Sequence, residues 1–307
     1  MKKLLLCVST ALLAMLAGCS EGIGGGGDFL TNLSGNNKIY YTSTDGEKIF
    51  PMVVSGEADA VLLSNTYKNG RGCMTFDEDV TKISGLFNGE DRLVSVELPN
   101  SLTEIGWRSF AECTNLVEIT IPKKVSIVSP DAFEGCTSLP VENGIRYADN
   151  FLVEVVEKDI DSYTIKNDTK WIGDNAFQNC SSLASITIPD SVTSIGDYAF
   201  CDCSSLASIT IPDSVSSIGE SAFAYCESLE SIIIPDSVTS IGEHAFFYCS
   251  SLAKVYCKPT TPPTGDSDMF NLNASGRKIY VPTDSVDAYK TANYWSDYKS
   301  YIYGYDF

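Results

Sequence analysis

Few side chains in this 307-residue sequence have the type and spacing that catalysis or metal binding requires. The chain has one histidine, His244, which excludes multi-histidine metal sites and leaves one candidate imidazole base. Neither Gly-x-Ser-x-Gly nor His-Glu-x-x-His occurs. Cys201 and Cys203 have no second cysteine pair at zinc spacing, and Asp266-Ser-Asp268 lacks the glycine and closing glutamate of an EF-hand loop. We predict no catalytic residue, no metal site and no cofactor.

Carboxylates are the other candidates for acid–base chemistry. Three aspartates follow a proline at the same point of successive repeats: Asp190, Asp213 and Asp236. Strict repetition after proline is typical of turn residues and not of a glycosidase pair. Repetition does not explain Glu142, Glu154 and Glu157. A hydrolase with a cleft around these three glutamates therefore stays open as an alternative.

Composition limits the classes of partner. The chain has 44% hydrophobic and 20% charged residues, which is typical of a globular protein. It carries 40 acidic and 21 basic residues, for a net charge of -19. Because a nucleic acid is itself a polyanion, we exclude nucleic acid as a partner. We expect partners with basic or neutral surfaces, and a monomeric chain.

An internal repeat organises the sequence. The unit reads Ile-Gly-acid-x-Ala-Phe-x-x-Cys-x-Ser-Leu-x-x-Ile-x-Ile-Pro-Asp-Ser-Val-x-Ser and recurs every 23 residues. Its copies begin at Ile83, Ile105, Val128, Ile172, Ile195, Ile218 and Ile241. The stretch 140–171 departs from the pattern, and its alternating residues on either side of Asp149-Asn150 predict a coil widened into a hairpin.

Each repeat has the properties of one coil of a solenoid. Leu-x-x-Ile-x-Ile predicts a short strand, which the following proline ends because proline has no N–H for the ladder. Stacked coils make these strands parallel and place the repeated phenylalanines in a buried ladder. The acidic residue after Ile-Gly is expected to open a short helical turn. We predict an α/β repeat solenoid with parallel strands on one face and short helical turns on the other.

The N-terminal segment predicts export. Lys2 and Lys3 precede an apolar run, 4–16, that is too short to span a bilayer as a helix, which is typical of a signal peptide. Leu16-Ala17-Gly18-Cys19 resembles the bacterial lipobox, which implies cleavage before Cys19 and acylation of that residue. The glycine-rich stretch that follows predicts a tether. We therefore expect a lipid anchor in the bacterial outer membrane or at the cell surface.

The repeat resembles the leucine-rich repeat of BspA-type bacterial surface proteins, from Val80 to about Pro263. The resemblance implies a curved right-handed solenoid displayed on the cell surface, and some members of that family are adhesins for matrix proteins or other cells. The segment Lys278 to Ile302 is similar to the C-terminal cap of related chains. Within it, Asp284 is expected to cap a helix that buries Val286, Tyr289 and Trp295. The predicted segments are 1–18 (signal peptide), 19–37 (lipidated cysteine and tether), 38–79 (N-terminal β cap), 80–263 (solenoid, with the degenerate coil 140–171) and 264–307 (C-terminal cap).

Six of the 11 cysteines occupy one repeat position: Cys113, Cys136, Cys180, Cys203, Cys226 and Cys249. Export would allow disulfides, but a column of equivalent positions favours buried, reduced thiols that pack as small apolar groups. Cys73 and Cys257 lie outside the column, and their pairing is left open.

Two surfaces are candidates for binding. Residues between the buried strand positions point outward, and we select six of them as ligand-binding candidates: Glu97, Glu118, Thr187, Thr210, Lys254 and Tyr256. The outer turns carry a second set: Tyr198, Tyr225, Phe247 and Tyr248. The interpretation is a non-catalytic, lipid-anchored protein for adhesion to proteins or cells. A carbohydrate-binding accessory protein that uses Tyr256 and neighbouring aromatic residues is the alternative.

Overall fold

The computed structural model of the protein describes residues 35–51, 59–129 and 131–307. Within these residues the chain forms a solenoid of stacked coils joined by parallel strands, which confirms the predicted fold class. The predicted signal peptide and Cys19 lie outside the described residues, so lipid attachment stays a prediction.

The first column of strands begins each repeat. Its members are β4 (Lys82–Ile83), β6 (Glu104–Ile105), β8 (Ile127–Val128), β13 (Trp171–Ile172), β15 (Ser194–Ile195), β16 (Ser217–Ile218) and β18 (Ser240–Ile241). The first three members form one parallel sheet and the last four belong to another, in which Ile195 pairs with Ile218 and Ile218 with Ile241. The isoleucine is buried in each coil, because the side chains of a strand alternate between core and solvent. The sequence interpretation had placed one strand in each coil and did not include this column.

The second column contains the predicted Leu-x-x-Ile-x-Ile strands. Its members are β5 (Leu93–Glu97), β7 (Glu118–Thr120), β12 (Ser162–Thr164), β14 (Ser185–Thr187), β17 (Ser231–Ile234) and β19 (Lys254–Cys257). The equivalent segment around Thr210 runs through the same position without forming a strand. The column is therefore divided into separate sheets along the solenoid.

The segments that contain Ala-Phe are hydrogen-bonded turns and not helices. Asn175 and Phe177 donate their backbone N–H groups to the carbonyls of Asp197 and Ala199 in the next coil, at 2.9 and 2.7 Å. Asn175 has a φ of 58°. A left-handed residue at this point breaks any helix and lets alternate N–H groups point along the solenoid axis. The turn thus bonds to its neighbour, where a helix would bond to itself.

Aromatic rings form the centre of the core. Phe177, Phe200, Phe223 and Phe246 are fully buried, and their rings stack with centroid distances of 4.9, 5.2 and 5.3 Å. The N-terminal coils contain a second ladder in which the rings of Phe87, Phe110 and Phe133 stack in the same way. The hairpin coil separates the two ladders, and the buried residues accordingly form two clusters.

The cysteine column lies beside the phenylalanine ladder. The Cys226 Sγ donates to the backbone oxygen of Phe200 at 3.2 Å, and the Cys249 Sγ to that of Phe223 at 3.1 Å. All the cysteines in the described part of the chain are free thiols, including the half-buried Cys73 and the fully buried Cys257. A thiol fits this position because it fills a small apolar space and also satisfies a buried carbonyl.

The N-terminal end and the hairpin coil use antiparallel strands. β1 (Lys38–Ser43), β2 (Leu62–Lys68) and β3 (Arg71–Phe76) pair antiparallel, and β1 joins them to β5 of the solenoid. In the hairpin coil, β9 (Val141–Glu142), β10 (Ile145–Ala148) and β11 (Phe151–Val155) are antiparallel. β11 then pairs in parallel with β13, so the hairpin joins the sheet of β13, β15, β16 and β18, whereas β4, β6 and β8 form a separate sheet.

At the C-terminal end the second column continues. β20 (Lys278–Pro282) pairs with β19, and β21 (Ile302–Tyr305) pairs with β20, both in parallel. Between them a short helix, α1 (Val286–Thr291), and the 3-10 helix that follows it (Trp295–Tyr301) bury Tyr289 and Trp295, as predicted, whereas Val286, also predicted to be buried, is only partly buried. The prediction that Asp284 caps this helix is wrong, since Ser285 precedes it and provides no side-chain cap. No helix in the described ranges is both long enough and apolar enough to cross a lipid bilayer.

Candidate functional site

The outward side chains of the second column form one long surface with three different regions. Thr187 and Thr210 lie in the middle region and are exposed. In β14, Ser185 and Thr187 pair with Ser162 and Thr164 of β12, so the surface there consists of small hydroxyl groups. Serine and threonine are ordinary residues of a solvated strand, and this region offers no large contact group.

The N-terminal region places Glu97 and Glu118 beside a cavity of about 440 Å³ between the N-terminal hairpin and the solenoid. The Arg71 guanidinium binds the Glu97 carboxylate and also lies over the ring of Tyr40, 4.0 Å from its centroid. Ser95, next to Glu118 in register, shares a hydrogen bond of 2.7 Å with Thr42. Glu97 is therefore held in an ion pair that closes the end of the solenoid, whereas Glu118 points to solvent.

The C-terminal region brings Lys254 and Tyr256 together with residues that we had assigned to the cap. Lys254 pairs with Lys278, and Tyr256 with Tyr280, on the adjacent strands β19 and β20. The rings of Tyr256 and Tyr280 stack with centroids 5.0 Å apart, and the ring of Tyr305 meets Tyr256 edge-on at 5.5 Å.

We call this surface the C-terminal aromatic face and define it by Ile233, Tyr256, Tyr280, Tyr303 and Tyr305. Ile233 pairs with Tyr256, and Tyr280 with Tyr303, so the face extends over the four strands β17, β19, β20 and β21. Ile233, Tyr303 and Tyr305 are 47%, 45% and 42% exposed. Contiguous exposure of large apolar side chains is uncommon on a solvated sheet and marks a candidate interaction surface.

The sequence contained a signal for the residues that we missed. Lys278-Ile-Tyr280-Val repeats the Lys-x-Tyr spacing of Lys254-Val-Tyr256-Cys, 24 residues later. A shift of 24 instead of 23, and the absence of the other repeat residues around it, concealed the match. Tyr303 and Tyr305 could not be found in this way, because the helix and turn intervene before β21.

The first column lies in a second candidate surface, a groove of about 990 Å³. Strands β8, β13, β15, β16 and β18 form its floor, Lys123, Lys124 and Lys170 lie at one end, and Asp197, Glu220 and Glu243 lie along its length. Two of the repeat acids bind backbone groups of the following coil. Asp174 accepts the N–H of Asp197 at 2.5 Å, and Asp197 accepts the N–H of Glu220 at 2.7 Å.

These carboxylates have altered acidity. Burial raises the pKa of Asp174 to about 7, and the negative charge of Asp197 contributes to the same shift. Burial also raises the pKa of Asp197. Their bonds to the next coil give them a structural role, which explains why this position is acidic in successive repeats.

Comparison with known proteins identifies the repeat. The chain matches the model of the BspA type leucine rich repeat region, in 6 copies, over residues 72–143 and 156–292. The chain belongs to the BspA-type leucine-rich repeat family. The match covers more than half of the chain, and no curated protein matches it. A solenoid of BspA-type repeats is typically a non-catalytic binding fold.

Several solved bacterial structures are similar to this BspA-type chain. The pneumococcal vaccine antigen PcpA is 21% identical over 69% of this chain and 66% of its own, with a TM-score of 0.42. A leucine rich cell surface protein from Faecalibacterium prausnitzii is 26% identical over 66% and 63%, with a TM-score of 0.40. A leucine-rich repeat protein from Bacteroides ovatus is 26% identical over 67% and 61%, with a TM-score of 0.35. The chain spans less than two thirds of the length of each of these proteins.

The candidates for catalysis contact other charged side chains of this BspA-type solenoid. The Nδ1 of His244 is 3.7 Å from the Glu243 carboxylate, and its Nε2 is 3.6 Å from that of Asp268, at the edge of an outer turn. In the hairpin coil the Arg146 guanidinium binds Glu154 at 2.9 Å, whereas Glu142 lies 4.0 Å from a lysine. The described part of the chain contains no group of three or more His, Cys, Asp or Glu side chains that could hold a metal ion.

The aromatic residues of the outer turns form a smaller patch. Tyr225 meets Phe247 edge-on at 5.7 Å and Tyr248 at 5.4 Å between ring centroids. Tyr198 makes a different contact: its hydroxyl donates a hydrogen bond to the Glu220 carboxylate at 2.6 Å. Tyr225 and Tyr248 are exposed, but contacts among the rings cover part of their surface. Fewer large apolar side chains are exposed in this patch than in the C-terminal aromatic face.

Proposed function

We propose that the protein is a non-catalytic binding protein of the bacterial surface, lipid-anchored at Cys19, that mediates adhesion to other cells or to proteins around them. Membership of the BspA-type family supports a binding role, and the lipobox supports attachment to a membrane. A solved protein that is similar to this chain is described as a leucine rich cell surface protein. A tether after Cys19 would hold the solenoid away from the lipid surface.

One observation carries the choice of contact surface. Along the second column, the outward pair changes from Ser185 and Thr187 in β14 to Lys254 and Tyr256 in β19. The buried positions of the repeat do not change in this way, so the change is confined to the solvent side. Aromatic side chains supply the large, oriented contacts that binding surfaces use, and small hydroxyl groups do not. The C-terminal aromatic face is therefore the proposed adhesive surface.

Adhesion through this face can be tested with the full chain carrying Cys19→Ser, which we expect to be released in soluble form. Binding to immobilised matrix proteins and to whole cells is measured for this chain and for the double substitution Lys254→Ala/Tyr256→Ala. We expect the double substitution to accelerate dissociation at least tenfold, because a buried aromatic anchor acts after encounter. Thr187→Ala/Thr210→Ala is the matched control in the middle region and should bind like the parent. Equal dissociation rates for both double substitutions would exclude the C-terminal aromatic face.

The anchor is tested separately. We expect Cys19→Ser to abolish acyl labelling and to move the protein from the membrane fraction to the soluble fraction, since acyl chains are the predicted attachment. Ser20→Ala leaves the lipobox cysteine intact and serves as the control. Retention of the Cys19→Ser chain in membranes, with continued acyl labelling, would contradict the lipobox assignment.

A further inference from the structure

We propose that the C-terminal aromatic face, together with Lys254, Arg277 and Lys278, binds a linear glycan that carries carboxylate groups. This proposal rests on the proposed function and names the ligand class of the same surface. The proposed site is positively charged, although the chain as a whole has a net charge of -19.

The first observation is a pair of lysines placed side by side. Lys254 and Lys278 are direct partners in the parallel register of β19 and β20, and both are exposed. Strands in a sheet are ~4.8 Å apart, and like charges directly opposite each other destabilise it. Within the described ranges, neither lysine has a carboxylate within 4.0 Å, although the chain has almost twice as many acidic as basic residues. Their charge is left available to an external anion.

Basic residues elsewhere on the solenoid follow no single arrangement. Arg71, Lys82, Arg92, Arg108 and Arg146 each bind a carboxylate of this chain, whereas the exposed Lys123 and Lys124 have none within 4.0 Å among the described residues. What distinguishes Lys254 and Lys278 is that the two lysines are direct cross-strand partners beside the C-terminal aromatic face.

The second observation is an arginine without an acidic partner. The Arg277 guanidinium lies over the rings of Tyr298 and Tyr301, 5.1 and 4.8 Å from their centroids. Its Nε is buried and has no hydrogen-bond partner among the described residues. Ile302 pairs with Ile279, which places Tyr301 beside Lys278. Arg277 therefore contacts the residue that lies beside Lys278, and its guanidinium is a further cation to which an external carboxylate can bind.

The third observation is the spacing of the contact groups. Tyr256 and Tyr280 repeat along the solenoid axis with ring centroids 5.0 Å apart, and the two lysines follow the same strand spacing. A pyranose unit of a linear glycan has a comparable length, so successive sugars can meet successive strands. The next pair of rings, Tyr280 and Tyr303, has centroids 6.4 Å apart, close to the ~6.6–6.8 Å between side chains on one face of an extended peptide. The spacing at Tyr256 and Tyr280 fits a glycan, and the comparison with polyglutamate below decides between a glycan and an acidic peptide.

Chemistry at each position is complementary to such a chain. The apolar C–H face of a sugar packs against an exposed aromatic ring, and Tyr303 is 45% exposed. Tyrosine hydroxyls can exchange hydrogen bonds with sugar hydroxyls. The Lys278 Nζ lies 5.5 Å from the Tyr303 ring centroid, so a carboxylate and a stacked sugar ring would be held side by side. A neutral sugar chain would leave the three cations without a partner.

The test uses the full chain with Cys19→Ser and a panel of oligosaccharides built from glucuronic, galacturonic, mannuronic or sialic acid. Each oligosaccharide is compared with its carboxyl-reduced form. We expect at least one acidic form to bind about tenfold or more tightly than its reduced partner, because charge-assisted hydrogen bonds are lost on reduction. Lys254→Ala/Lys278→Ala should lose that preference, and Tyr303→Ala should weaken binding to both forms.

A matched control separates local recognition from net charge. Lys123→Ala/Lys124→Ala removes two neighbouring exposed lysines at the end of the groove and changes the net charge by the same amount. This control should bind within about twofold of the parent if recognition is local, since screening limits distant charges to ~10 Å at 0.1 M salt. Circular dichroism of each variant checks that the sheet is intact.

Three results would overturn the inference. One is that no acidic oligosaccharide is preferred over its reduced form; another is that Lys254→Ala/Lys278→Ala binds like the parent. The third is that polyglutamate binds more tightly than every glycan of the panel, which would assign the face to acidic proteins. In each of these cases, adhesion to cells is measured separately and can still support the proposed function. Conversely, glycan binding without adhesion to cells would reject the proposed function and leave the glycan inference standing.

Discussion

The phenylalanine ladder offers the most direct test of the solenoid core. Phe200 has 0% exposure, and its ring stacks between Phe177 at 4.9 Å and Phe223 at 5.2 Å. Truncation to alanine removes a buried ring from a site enclosed on both sides by other coils, which cannot collapse without shifting the backbone hydrogen bonds between coils. We expect Phe200→Ala to reduce the free energy of unfolding by about 3 to 5 kcal/mol.

The loss of two stacked partners supports the upper half of this range. Each stacked aromatic pair contributes about 0.5 to 1.5 kcal/mol beyond burial, although the two contributions are not additive with the cavity cost. A domain is stable by only about 5 to 15 kcal/mol, so the variant should lie close to unfolding in the coils around residue 200. Because each coil contacts only its neighbours, the effect should decline with distance along the solenoid.

Urea denaturation followed by circular dichroism measures the midpoint, and hydrogen exchange locates the weakened coils. Phe247→Ala is the matched control, because it removes the same ring from a half-buried position on an outer turn. We expect less than half the effect for the control. A Phe200→Ala midpoint equal to that of the parent, or to that of Phe247→Ala, would show that ring 200 does not hold adjacent coils together.

Three further outcomes follow from the buried acids and thiols. Because burial raises the pKa of Asp174 to about 7 from 3.8, the folded state binds the extra proton, and stability should fall as pH rises from 4 to 7 and stay low above it. The full difference corresponds to about 4 kcal/mol, which screening at this half-exposed carboxyl reduces to about 1 to 2 kcal/mol. Asp174→Asn should reduce the slope measured by denaturation at pH 5 and pH 8, and part of it should remain because burial also raises the pKa of Asp197. Burial raises the pKa of Cys226 well above its ordinary value, so a thiol reagent should label the half-buried Cys73 first and Cys226 only on unfolding, as peptide mass analysis can show. Cys226→Ser, which keeps a donor for the Phe200 carbonyl, should be less destabilising than Cys226→Val.

The sequence predicted the parts of the fold that depend on hydrophobic repetition. Spacing of 23 residues located Ile195 and Ile218 in equivalent buried positions and placed Phe200 in a stack. Those features follow from the burial of large side chains, which appear in the sequence at regular intervals. The column β15–β16–β18 was missed because a two-residue strand is too short to show alternation, and its hydrogen bonds come from the backbone.

The sequence predicts helical turns in these segments because an acid followed by Ala-Phe is typical of a helix start. The structure instead has Asn175, Tyr198, Ser221 and His244 in left-handed conformations at the equivalent position. Backbone bonds to the next coil stabilise that geometry, and they are set by the stacking of coils and not by local propensity. A tertiary contact also explains why the predicted cap at Asp284 is wrong. The Ser285 hydroxyl donates a hydrogen bond to the carbonyl of Thr260, and α1 begins without a side-chain cap.

The candidate site was predicted in part. Lys254 and Tyr256 were selected because they differ chemically from the outward residues of earlier coils, but their partners Lys278 and Tyr280 became visible only in the register of β19 and β20. Glu97 was selected for the same face and lies at its other end, in an ion pair with Arg71. The alternation of inward and outward side chains along a strand identifies the exposed face of the sheet. The position of a site along that face depends on which strands pair in the folded chain.

Repetition itself explains why binding should be concentrated at one end. A ligand on the middle region would meet nearly the same hydroxyl groups at each coil, so that positions shifted by one strand spacing of ~4.8 Å would be almost equivalent in energy. Such a surface cannot fix the position of an extended ligand. The change to Lys254 and Tyr256, continued by Lys278 and Tyr280, removes that equivalence and gives one preferred register. The repeated coils therefore supply a rigid support, and the coils where the outward residues depart from the repeat supply specificity.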